Sequence, residues 1–83
     1  MPRPRQPRRV ARLPEVTCFE PRGGASASDP EVRMSVEGLE AIRLVDLEGL
    51  ATGDAARRMG VSRHAFGRVL ADARQSAAEA LAL

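Results

Sequence analysis

Ser62, Arg63 and His64, followed by Gly67 and Arg68, bring a hydroxyl, two guanidinium groups and an imidazole within two helical turns. Guanidinium forks match phosphate oxygens and guanine edges, and an imidazole offers one further hydrogen-bonding edge. A serine at the start of a helix leaves backbone N–H groups facing outward, where a phosphate is held. Gly67 carries no side chain, so its face of the helix can lie close to a groove. Arg57 and Arg58, just upstream, suit contacts to a phosphate backbone.

These residues need a corner to present them. ATGDAARRMG predicts a short helix ending at Gly60, and the run from Ser62 to the end predicts a longer one with Ser62 as its N-cap. Met59, Val61, Phe66 and Val69 form the apolar wedge between them, and Ala56 lets them approach closely. Ser62, Arg63, His64, Gly67 and Arg68 point away from that wedge. This is the plan of a helix-turn-helix, whose second helix enters the major groove. The upstream helix has either Ala51 or Thr52 at its cap, and only threonine has a capping oxygen.

SVEGLEAIRLVDLEGL predicts another helix, capped by Ser35 and stopped by Gly49. Its apolar residues Val36, Leu39, Ile42, Leu44, Val45 and Leu47 wrap more than one face, which predicts a helix gripped from two sides. Glu40 and Arg43 read as a weak surface pair, and Gly38 as a mild defect. In the last helix a stripe of Phe66, Leu70, Ala73, Ala77 and then Ala80 or Leu81 outruns the corner. It serves either as packing for the amino-terminal segment or as a homodimer seam.

The amino-terminal segment is of another kind. Pro2, Pro4, Pro7 and Pro14 alternate with Arg3, Arg5, Arg8 and Arg9, which predicts an extended arm. Ahead of a helix-turn-helix, such arginines are expected to enter a narrow minor groove. The next stretch is loop, with Val16, Cys18 and Phe19 expected to anchor it on the core and Cys18 buried beside Phe19. The boundary falls between an arm and loop over 1–33 and a DNA-binding domain over 34–83.

The totals agree with one small all-α domain. The 83 residues are 43% hydrophobic, with Phe19 and Phe66 the only aromatics, so close-packed helices are favoured over a sheet. Charge is uneven: residues 1–12 hold five arginines and no acid, residues 13–56 nine acids against three arginines, and residues 57–83 five arginines against two acids. The basic blocks suit a polyanion, and the acidic middle is expected to be a solvent face turned from it. One cysteine and one distant histidine make no metal site, so neither metal nor other cofactor is expected. There is no long apolar run, and a cytoplasmic protein without a membrane partner is the default. No nucleophile–base pair or phosphate loop occurs, so an enzyme is not expected.

LEAIRLVDLEGL, followed by DAARRMGVSRHAFGRVLADAR, resembles the domain-of-unknown-function 134 family of predicted DNA-binding proteins. RPRQPRRV, LPE and FEPRG extend the resemblance to nearly the whole chain. It implies a three-helix fold similar to the region-4 helix-turn-helix of sigma-70 factors, with an extended Pro/Arg-rich arm and a long last helix. The family pattern has serine and glutamate where this chain has Ala51 and Asp54, and glutamine and threonine where it has His64 and Ala65. Arg63, Gly67 and Arg68 keep the pattern. The expected function is sequence-specific binding of double-stranded DNA by a transcriptional regulator. The alternative is a protein-interaction module for RNA polymerase or a regulatory protein, with only non-specific DNA affinity.

Overall fold

The structure is a computed structural model that describes residues 8–11, 13–20, 24 and 31–82. Arg3 and Arg5 lie outside the described residues. The described residues are all-helical, with three helices and no strand: α1 (Val36–Ile42), α2 (Thr52–Met59) and α3 (Arg63–Ala82). Helix α1 passes directly into a five-residue π-helical turn, Arg43–Leu47.

Local chemistry sets most of the helix boundaries. Ser35 caps α1, its Oγ accepting the Gly38 N–H at 3.0 Å. Ser62 caps α3 in the same way, accepting the Ala65 N–H at 3.0 Å. The cap of α2 is Ala51, with no side-chain hydrogen bond, although Thr52 alone has a suitable oxygen. Gly60 ends α2 with φ +70°, in the left-handed region that a Cβ disfavours. Its N–H and that of Val61 close on the carbonyls of Arg57 and Ala56, so the corner satisfies part of the helix end internally.

The core lies where the three helices meet. Ala41, Leu44, Ala55, Ala56, Met59, Phe66 and Leu70 are buried together, with Val61 and Val69 packed against them. Helix α1 also comes very close to α3: a methyl on Gly38 would sit 3.0 Å from the Ala73 Cβ. Gly38 therefore marks a helix crossing, a tertiary reason that its own helix does not reveal.

Several expectations are corrected. Glu40 and Arg43 are no weak surface pair: Glu40 is only 4% exposed and is held bidentately, at 2.7 and 2.9 Å, by the Arg43 guanidinium. The acidic middle is not simply a solvent face, because Glu37, Glu40, Asp46 and Glu48 all sit in ion pairs. Val16, Cys18 and Phe19 do not anchor the loop; Cys18 is exposed and Phe19 is 86% exposed. The apolar residues of the first helix are not all gripped either. The buried line is Gly38, Ala41 and Leu44, while Leu47, the last residue of the π turn, is 79% exposed. The α3 stripe is buried at Phe66, Leu70 and Ala73, half-buried at Ala77 and exposed by Ala80 and Leu81.

Candidate nucleic-acid interface

The corner between α2 and α3 gathers the predicted side chains on one exposed surface. Ser62, Arg63, His64, Gly67 and Arg68 are all exposed, while Met59 and Phe66 beneath them are buried. No ion pair or side-chain hydrogen bond engages Arg63, His64 or Arg68 among the described residues. The Ser62 hydroxyl oxygen is committed to its cap, which leaves its O–H free to donate outward. The N–H groups of Arg63 and His64 have no acceptor among the described residues and form the positive end of α3.

Arg63 lies across the first turn of α2. A methyl on Gly53 would sit 2.7 Å from its Nη2, so the absent side chain at Gly53 gives the guanidinium its place. Arg57 pairs with Asp54 one turn back along α2, and Arg58 approaches Glu48 at 3.9 Å. Both arginines stay largely exposed, and exposed pairs of this kind contribute little and exchange readily. Gly67 faces open space, since a methyl there would meet nothing within 4 Å.

The arm is fastened beside this corner. The Arg9 N–H donates to the Met59 carbonyl at 3.0 Å, satisfying one of the orphan acceptors at the end of α2. The Arg9 guanidinium lies over the turn, 3.1 Å from where a Gly60 Cβ would be. On α1, Arg8 Nη1 donates to Glu37 at 2.8 Å and the Ala11 N–H donates to Glu40 at 2.9 Å. Arg8 is thus largely covered, and its buried Nε has no hydrogen-bond partner among the described residues. Of the four arm arginines expected at DNA, Arg9 is the described one that stays exposed.

The Glu40 carboxyl is held below the usual range, chiefly by the Arg43 guanidinium and further by the Ala11 N–H, against the opposing effect of burial. Asp46 is also lowered, by the Arg74 guanidinium that clamps the π turn to α3. Sequence reasoning missed the Asp46–Arg74 and Glu40–Ala11 contacts and underrated the Glu40–Arg43 pair. Glu40 and Arg43 were legible as neighbours but not as a buried pair, and Asp46 and Arg74 lie too far apart along the chain to be paired without knowledge of the fold. No group of three His, Cys, Asp or Glu side chains that could hold a metal ion occurs among the described residues. No helix among them is long and apolar enough to cross a membrane.

The model of a family described as "Protein of unknown function DUF134" matches residues 1–82. The chain belongs to this family. DUF134 relatives include a "UPF0251 protein" of Methanosarcina acetivorans, 51% identical over 79 residues, which are 95% of this chain and 70% of that protein. Another, from Moorella thermoacetica, is 53% identical over 81 residues, 98% of this chain and 54% of the relative. A third, from Prosthecochloris aestuarii, is 46% identical over 79 residues, 95% of this chain and 51% of the relative. The chain therefore spans between about half and 70% of the length of these DUF134 relatives. No solved structure matches.

Proposed function

We propose that the chain binds double-stranded DNA through a helix-turn-helix made of α2, residues 60–62 and α3, and acts as a transcriptional regulator. The observation that carries this reading is the exposed, internally unpaired set Arg63, His64 and Arg68 on the first turns of α3, above a buried apolar wedge. In such a corner the second helix lies in the major groove with its amino-terminal residues at the base edges. Arg63, His64 and Arg68 are the readers, and Ser62 with the free N–H groups of α3 holds a phosphate. Arg57 and Arg58 contact the backbone. Arg9 extends the positive surface across the turn, and the arm ahead of it, with Arg3 and Arg5, supplies further electrostatic or minor-groove contacts. This reading resembles region 4 of sigma-70 factors and assigns no catalytic role.

Selection from a random duplex pool, followed by salt titration of the enriched and depleted sequences, tests it. The expected result is an enriched motif whose affinity falls steeply with salt. Arg63→Ala and Arg68→Ala should each lower affinity for that motif by about 1–3 kcal/mol and relax discrimination at one position. A steep salt dependence with no enriched motif would instead favour the interaction module. The exposed Val36, Leu39 and Leu47 of the first helix and π turn, beside Asp46 and Glu48, are the observation that favours this second reading.

A further inference from the structure

A cleft of about 720 Å³ opens beside the proposed reading surface, between α3 and the segment leading into α1. Met34, Val69 and Ala73 form the apolar part of its floor, and the guanidinium groups of Arg8, Arg33 and Arg68 line it together with the His64 imidazole. Arg33 is 86% exposed on its side chain and holds only Glu31, an exposed neighbour two residues away, so it can turn to a better partner at little cost. Arg68 has no partner among the described residues. The acids of the lining are less available than the cations: Glu37 already receives Arg8 at 2.8 Å, which leaves Asp72.

We infer that this cleft binds a small amphipathic anion, a carboxylate on an apolar body, held by Arg33 and Arg68 over the Met34–Val69–Ala73 floor. Its volume is that of small-molecule sites, and its lining offers polar and apolar surface in comparable measure, which suits a ligand carrying both. A DNA phosphate alone would leave the floor unused, and an uncharged apolar molecule would leave the two guanidinium groups unused. The site has a consequence for the proposed function. A ligand there engages Arg68 and crowds His64, so it withdraws two readers from DNA. The competitive part rests on the DNA-binding reading; the binding part does not.

The test is titration of the whole chain with octanoate, kept well below its micelle range, with 1-octanol and inorganic phosphate as the apolar-only and anion-only arms. Binding is read from backbone amide shifts in NMR spectra. Octanoate should shift the amides of Met34, Ala65, Val69 and Ala73 in a saturable way, and each of the other two probes should bind about tenfold more weakly or not at all. Arg33→Glu, an exposed change outside the proposed DNA set, should weaken octanoate about tenfold with an otherwise unchanged spectrum. Shifts spread over all three helices, equal binding of octanol, or an unaltered Arg33→Glu titration would overturn the inference. In the same samples the apparent Kd for the selected duplex should rise linearly with free octanoate, doubling when octanoate reaches its own Kd. If no duplex is bound but the amide shifts appear, the DNA reading fails and the cleft stands. A duplex bound with no octanoate shifts means the reverse.

Discussion

Two glycines that look alike as helix interruptions do opposite things. Helical glycine costs roughly 0.5–1 kcal/mol relative to alanine, so either position invites replacement. At Gly67 the added methyl meets nothing within 4 Å, and Gly67→Ala should stabilise the fold by about 0.5–1 kcal/mol. In a domain of this size that is a rise in Tm of about 4 °C, readable by thermal unfolding. The same methyl stands on the proposed reading surface, so duplex affinity should fall while stability rises. At Gly38 the methyl would lie 3.0 Å from the Ala73 Cβ and 3.0 Å from Ser35 Oγ, the oxygen that caps α1. Gly38→Ala should therefore destabilise by about 1–2 kcal/mol, the cost of overpacking outweighing propensity, in a urea titration. A stabilised Gly38→Ala would show that α1 and α3 can move apart at no cost. The Ala73 methyl beside Gly38 belongs to another helix, which is why the sequence shows the defect and hides that part of its reason.

Helix starts were legible because capping is local. Ser35 and Ser62 each lie three residues before the N–H they accept, and both cap as their positions predict. The α2 start was legible to within one residue, Ala51 or Thr52: Ala51 stands in the extended conformation of a cap with no oxygen to offer, and Asp54 occupies the third helical position. Ala51→Ser should then stabilise by about 1 kcal/mol, measured by denaturant unfolding, because the backbone is already set for the bond. The π turn was not legible. The apolar residues wrap more than one face of a helical wheel, and the wheel does not say which of them meet a neighbour: Leu44 is buried, Val45 half-buried and Leu47 exposed. The loop anchor failed for a related reason. Val16 and Phe19 are apolar enough for a core, but Met59, Phe66, Leu44 and Leu70 already fill the space among the helices.

At the scale of the molecule, the basic arm is fastened to the corner through acids of the first helix. Glu40 is the centre of that arrangement, taking two bonds from Arg43 and one from the Ala11 N–H, while Arg9 is joined to the end of α2. Because the folded-state pKa of Glu40 is depressed, its contribution is fully present above the unfolded value of about 4.3 and is lost as pH falls through the lower folded value. Glu40→Gln keeps an acceptor for Ala11 but removes the charge that Arg43 faces. Arg43 retains Glu48 at 2.9 Å, so the loss near neutral pH should be about 2 kcal/mol rather than the full cost of stranding a buried charge. The difference between wild type and Glu40→Gln should then shrink steadily below pH 4, as the wild-type carboxyl takes up its proton. Urea unfolding across that pH range measures it, and amide exchange at Ala11 and Arg9 reports the arm separately. Faster exchange at both amides, with little change at the buried amides of α3, would locate the loss in the clasp. An unchanged Arg9 amide would mean that the bond to Met59 holds the arm alone. If the arm does contribute to DNA binding, Glu40→Gln should also weaken duplex affinity although it touches no DNA, because the exposed Arg9 would no longer be held over the turn.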